Sequence, residues 1–112
     1  MKTLTFIGFG AGALILASPA SRAAAPADNW TQSCAACHGG DGAGQSKMGR
    51  RLGVKDLTDA AYQKSFTDDQ LFDHLKAGET GPDGKVKMKP YGDKFSDDEI
   101  KALVGYVRSL AK

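Results

Sequence analysis

Near the C-terminal end of the chain, apolar residues recur at intervals of three and four, the spacing of one face of an α-helix. Directly before them, Ser96 is followed three residues later by Glu99, a pair that forms a capping box at a helix start. The pattern predicts an amphipathic helix that begins after Ser96. Its buried face would carry Ile100, Leu103, Val104, Val107 and Leu110.

A second capping box, Thr67 with Gln70, precedes another run of apolar residues with helical spacing. Gly78 would end this helix, since glycine is common just beyond the last helical residue. Residues 59–65 are expected to form a short helix of their own. The apolar run of the capped helix consists of Leu71, Phe72 and Leu75.

A further helix is expected over residues 28–37, capped by Asp28 or Asn29, because Trp30, Cys34 and Cys37 lie three to four residues apart.

Three segments carry no helical pattern. Residues 39–44 are rich in glycine, residues 47–55 are basic and irregular, and residues 79–94 are rich in Gly, Pro and Lys. No stretch alternates with period two, so neither strands nor a hairpin are expected. The sequence predicts an all-α fold of about four helices.

The chain begins with a pattern typical of export. Lys2 precedes an almost wholly apolar run over residues 4–17, and small residues follow. We interpret residues 1–23 as a signal peptide, although cleavage after Ala27 also fits, and residues 24–112 as one domain. An uncleaved anchor is the alternative, but a comfortable membrane span needs roughly 20 apolar residues.

The net charge bears on the choice of partner only after the expected signal peptide is removed. The full chain has 15 basic and 13 acidic residues. Lys2 and Arg22 precede the expected cleavage site, so the remaining domain has 13 of each and no net charge. A nucleic-acid partner is therefore not expected.

The candidate chemistry lies in the sequence Cys-Ala-Ala-Cys-His at positions 34–38. This spacing is the haem c attachment motif: the thiols of Cys34 and Cys37 add to the two vinyl groups, and His38 binds the iron. A thioredoxin-like redox pair would need a βαβ setting, and a zinc site would need four ligands. A structural disulfide would close only a very small loop. One covalent haem c with iron is the favoured interpretation.

With this motif in place, the chain resembles the small bacterial mono-haem class I cytochromes c. Trp30 lies four residues before Cys34, as an aromatic residue does in that family, and glycines follow the histidine. Tyr106 matches the aromatic residue at which the last helix crosses the first, and Gly105 would let the two helices approach. The resemblance implies the small cytochrome c fold around one haem.

The resemblance also implies the sixth iron ligand, a methionine in a Pro-containing loop before the last helix. Met88 in the sequence Met-Lys-Pro-Tyr fits. Met48, His74 and an open position are the alternatives. The family's Gly-Pro-x-Leu, whose proline carbonyl accepts a hydrogen bond from the axial histidine, is replaced here by residues 49–52, Gly-Arg-Arg-Leu, which leaves the acceptor undetermined.

We therefore expect a periplasmic or otherwise exported electron carrier, not an enzyme. It would work as a monomer without stable membrane insertion, between a redox-protein donor and acceptor. A haem enzyme or gas-binding protein with an open sixth position is the alternative.

Two groups of basic residues could either steer an acidic partner or serve solubility alone. One consists of Lys47, Arg50, Arg51 and Lys55, the other of Lys85, Lys87 and Lys89.

Overall fold

The computed structural model describes residues 25–112 and the isolated positions 5, 8, 10 and 12. Apart from those four positions, the expected signal peptide over residues 1–23 lies outside the described residues. No helix in the part described is long and apolar enough to cross a membrane.

Most of the regular structure over residues 25–112 is helical, and the rest is a sheet of five residues. The elements in chain order are α1 (Pro26–Ser33), α2 (Ala35–His38), α3 (Lys47–Leu52), α4 (Ala60–Gln63), α5 (Asp68–Ala77), β1 (Glu79–Thr80), β2 (Val86–Met88) and α6 (Asp97–Ser109). The predicted all-α class is confirmed, with two of the six helices only four residues long.

Both predicted capping boxes are present. The Thr67 hydroxyl accepts a hydrogen bond from the Gln70 N–H at 3.1 Å, and the Gln70 side chain accepts one from the Thr67 N–H at 2.9 Å. The same exchange links Ser96 and Glu99 at the start of α6. These bonds satisfy backbone donors that a helix start leaves unpaired, so local sequence alone sets where α5 and α6 begin.

Three local expectations were wrong. The first helix begins at Pro26, with proline in its first turn, and is interrupted at Cys34. The segment expected to be irregular contains α3, which Ser46 caps and which ends at Gly53 in the left-handed conformation. Residues 79–88 form a short antiparallel hairpin in which Glu79 pairs with Met88.

The core lies where α1 and α5 pack against α6. The rings of Trp30 and Tyr106 lie 5.4 Å apart between α1 and α6, so the predicted crossing at Tyr106 is confirmed. Gly105 is exposed, and a β-carbon added there would meet no atom within 4 Å. The predicted close approach at Gly105 is therefore wrong. The buried apolar cluster consists of Trp30, Cys34, Leu57, Leu71, Leu75, Phe95, Ile100, Leu103, Val104 and Val107.

Candidate haem-binding site

Cys34 lies at the junction of α1 and α2, and Cys37 lies within α2. Cys34 is buried in the apolar cluster, and Cys37 is half-buried. Burial raises the pKa of the Cys34 thiol to about 11, against a smaller opposing effect of the Lys94 ammonium. Cys34 therefore lies in an apolar setting suited to holding a large apolar group.

His38 ends α2, and its two ring nitrogens differ in their surroundings. Nδ1 is fully buried and has no hydrogen-bond partner among the described residues, whereas Nε2 is not fully buried. Burial lowers the pKa of the imidazole, and the neighbouring His74 lowers it further. A neutral ring with an accessible Nε2 is the form that binds a metal, so His38 fits an iron ligand. No described residue replaces the proline carbonyl of the family pattern as acceptor for Nδ1.

Trp30 fixes the position of the motif from α1. Its ring centroid lies 5.7 Å from that of His38, and its Nε1–H donates to the carbonyl of Gly39 at 3.1 Å. The carbonyl of His38 accepts a hydrogen bond from the Gly44 N–H at 2.8 Å. The carbonyls of His38 and Gly39 are thus both held by hydrogen bonds, which fixes the backbone directly after the histidine side chain.

Ser46 supports the motif from the start of α3, a role that sequence reasoning missed. Its hydroxyl lies within hydrogen-bond distance of the carbonyls of Ala36 and Cys37, at 2.9 and 2.8 Å, and accepts a bond from the Gly49 N–H. A helix cap at Ser46 could have been recognised from its residue type. Its contacts with α2, in contrast, depend on how α3 packs.

Met88 is the last residue of β2 and lies opposite Glu79. It is half-buried and packs against the apolar cluster to which Cys34 and Trp30 belong. The end of α5 lies close to Met88, because a β-carbon added at Gly78 would lie 2.5 Å from the Met88 carbonyl oxygen. Met88 therefore borders the apolar cluster that also contains Cys34 of the attachment motif.

The other candidate ligands have different surroundings. Met48 lies on α3 and is 45% exposed, outside the apolar cluster. His74 lies on α5, and its Nε2 is 3.6 Å from a carboxylate oxygen of Glu79. Over the part of the chain that is described, no three His, Cys, Asp or Glu side chains are grouped to hold a metal ion.

Comparison with known proteins shows which family this chain belongs to. Residues 21–107 match the profile of the family described as cytochrome c oxidase, cbb3-type, subunit III. Cytochrome c-553 of Nitratidesulfovibrio vulgaris (strain Miyazaki F) is 37% identical over 82 residues, which are 70% of this chain and 71% of that protein. The cbb3-type cytochrome c oxidase subunit FixPc of Rhizobium leguminosarum bv. viciae is 31% identical over 81 residues. That match covers 72% of this chain and a quarter (25%) of FixPc.

Solved structures of a c-type cytochrome are also similar to this chain. The KustC0563 c-type cytochrome superposes with a TM-score of 0.66 at 31% identity, covering 78% of this chain and 98% of that one. A point mutant of the same cytochrome gives a TM-score of 0.64 at 30% identity, covering 77% and 98%. The chain belongs to the family described as cytochrome c oxidase, cbb3-type, subunit III, and is a small bacterial c-type cytochrome that carries covalently bound haem c and takes part in electron transfer.

Proposed function

We propose that this chain is an exported mono-haem cytochrome that transfers single electrons between two redox proteins, with His38 and Met88 as the axial iron ligands. Cys34 and Cys37 provide the two thioether links. The protein works as a monomeric carrier rather than as an enzyme. When bound, haem c supplies the iron that accepts and releases one electron.

The observation that carries this proposal is that Met88, unlike Met48, packs against the buried apolar cluster. Met88 packs on the cluster that contains Cys34, and Trp30 of that cluster contacts the ring of His38. In contrast, Met48 is exposed and lies outside the cluster, and His74 lies beside Glu79. A thioether beside the apolar core, on a loop that its neighbours hold in place, is the arrangement that favours Met88 as the sixth ligand.

Each of these side chains has a distinct task. His38 binds through Nε2, the nitrogen that is not fully buried. Met88 supplies a soft sulfur that favours the reduced metal and closes the sixth position to small ligands. The apolar cluster keeps water away, which disfavours the additional charge of the oxidised state and raises the potential.

Absorption spectra of the oxidised holoprotein test the ligation. We expect the Met–iron charge-transfer band in the wild-type protein, its loss in Met88→Leu, and its retention in Met48→Leu. Met88→Leu should also bind cyanide, which the wild-type protein should resist. Loss of the band in Met48→Leu but not in Met88→Leu would overturn the assignment. A wild-type protein without the band that binds carbon monoxide readily would favour an enzyme or gas-binding role instead.

Export is proposed from the apolar run over residues 4–17 and the small residues that follow. Mass spectrometry of the holoprotein from cells able to attach haem c should give a mature chain that begins near residue 24. A chain that retains residues 1–23 would contradict cleavage and support a membrane anchor.

A further inference from the structure

We infer that the hydroxyl of Tyr91 is a positioning contact that holds the methionine loop against the haem-attachment segment, and thereby sets how readily the Met88–iron bond opens. The inference rests on the proposed ligation by Met88. It adds a residue that the attachment motif and the ligand set do not include. The methionine loop is defined here as residues 88–95.

The loop is fixed to α5 through its backbone. The N–H of Tyr91 donates to the carbonyl of Leu75 at 3.0 Å, and the N–H of Gly92 donates to that of Lys76 at 3.1 Å. Gly78, which follows α5, lies in close contact with the backbone of Met88 and Pro90. These contacts set the loop relative to α5, but they do not join it to the segment that carries Cys34 and His38.

Two side-chain hydrogen bonds make that second connection, and both end on Ser33. The Tyr91 hydroxyl donates to the carbonyl of Ser33 at 2.8 Å, and the Lys94 ammonium donates to its hydroxyl, also at 2.8 Å. Ser33 directly precedes Cys34, and Tyr91 follows Met88 by three residues. The proposed ligand and the first attachment point are therefore linked through a short path of covalent bonds and one hydrogen bond.

The two bonds are not equivalent, because their exposure differs. The bond from Tyr91 is partly buried, and the ring of Tyr91 stacks on buried Phe95 at a centroid distance of 5.7 Å. Burial raises the pKa of the Tyr91 phenol, so the hydroxyl stays protonated as the donor at neutral pH. The bond from Lys94 is exposed and competes with water.

A thioether is a weak ligand, so its bond to iron depends on a loop that is held ready to form it. Removing the Tyr91 hydroxyl removes one partly buried neutral hydrogen bond that favours the loop-closed state. A bond of that kind corresponds to about a five-fold change in an equilibrium constant. Because the contacts with α5 and Phe95 remain, the change should appear in opening of the loop more than in global unfolding.

The test is cyanide titration of the oxidised holoprotein, which measures displacement of the methionine. Tyr91→Phe should keep the Met–iron charge-transfer band without cyanide, but should bind cyanide about five-fold more tightly than the wild-type protein. Its reduction potential should fall, since the soft sulfur is less firmly held. Tyr62→Phe is the matched control: it removes a phenol hydroxyl from α4, where the ring packs on Phe66, and should leave the titration unchanged.

Lys94→Met provides a second variant, in case Tyr91→Phe yields too little holoprotein. It removes the exposed bond to Ser33 and should tighten cyanide binding by about two-fold. Wild-type cyanide affinity in both variants would overturn the inference, as would a fall in thermal stability of Tyr91→Phe without any change in cyanide affinity. Failure of the proposed ligation is distinguishable, because the band would then either be retained in Met88→Leu or be absent from the wild-type protein.

Discussion

The backbone of Gly49 lies directly against the carbonyl of Cys37. A β-carbon at position 49 would be 2.1 Å from that carbonyl oxygen, far inside van der Waals contact, and 2.8 Å from the carbonyl oxygen of Gly44. α3 can therefore reach this position beside α2 only with glycine at residue 49. The contact places α3 directly against the segment that holds the second attachment cysteine.

Gly49→Ala should lower the yield of holoprotein and the stability of the folded cytochrome. The added methyl group would force α3 away from α2, and overpacking of this kind typically costs about 1–3 kcal/mol. Urea unfolding of the purified holoprotein measures the effect. Gly40→Ala is the matched control, because a β-carbon at Gly40 meets no atom within 4 Å. Equal stabilities of the two variants would show that α3 can shift without cost.

The elements that sequence predicted well are those set by neighbouring residues. Thr67 with Gln70 and Ser96 with Glu99 bond within four residues of each other, so the pattern and the structure coincide for α5 and α6. α3 was missed because its sequence has no apolar periodicity and contains Gly49. Its helical state depends on the Ser46 cap and on packing against Cys37, which no local pattern contains.

The hairpin was missed for a different reason. Strands of two and three residues are too short to show a period-two pattern. The residues between them did carry a turn signal, Pro82, Asp83 and Gly84, and Gly84 has the positive φ that glycine adopts readily.

Within the site, too, local sequence predicts some features, whereas others depend on how distant segments pack. The five-residue attachment motif is contiguous, so its spacing alone predicts the three chemical groups. The contact between Tyr91 and Ser33 spans 58 residues and depends on how the methionine loop folds back onto α1. Nothing near either residue in sequence indicates it.

Haem should remain bound to the denatured wild-type protein. Acid denaturation followed by extraction with organic solvent should leave the pigment with the chain, because two thioether bonds do not depend on folding. Cys34→Ser with Cys37→Ser should release any bound haem into the solvent and leave a largely unfolded chain, since the group completes a small core. Pigment that leaves the wild-type chain under these conditions would contradict covalent attachment at either cysteine.

The lysines around Met88 should steer an acidic redox partner. Lys85, Lys87 and Lys89 are exposed, and none forms an ion pair with a residue in the part of the chain that is described. Replacing all three with glutamine should slow electron transfer to an acidic protein at low ionic strength and flatten its salt dependence. Stopped-flow kinetics at several salt concentrations measures both effects.

A charge-matched control separates steering from net charge. Replacing Lys64, Lys101 and Lys112 with glutamine removes the same charge from the end of α4, from α6 and from the C-terminal residue. This variant should retain most of the wild-type salt dependence. If both triple variants lose the same rate at low salt, the lysines around Met88 act through net charge and mark no docking surface.

Arg108 should contribute more to stability than its ion pair does. Its guanidinium donates to the carboxylate of Asp68 at 2.7 Å, to the carbonyl of Phe66 at 2.7 Å, and to both the carbonyl and the side-chain oxygen of Gln63. It also lies over the Phe66 ring, 4.6 Å from the centroid. One planar side chain thereby joins α6 to residues 63–68, from the end of α4 to the start of α5.

Arg108→Lys keeps the charge but has a single ammonium in place of the planar guanidinium. The lysine therefore cannot donate to all of these acceptors at once. We expect a loss of about 1–3 kcal/mol in the free energy of unfolding, measured by urea denaturation of the holoprotein. Asp68→Asn is the control: it removes the charge pair from a carboxylate that is 70% exposed, and a surface pair contributes about 0–1 kcal/mol. If Asp68→Asn costs as much as Arg108→Lys, the ion pair dominates and the backbone carbonyls contribute little. A larger loss in Arg108→Lys assigns the stabilisation to the contacts with Gln63 and Phe66.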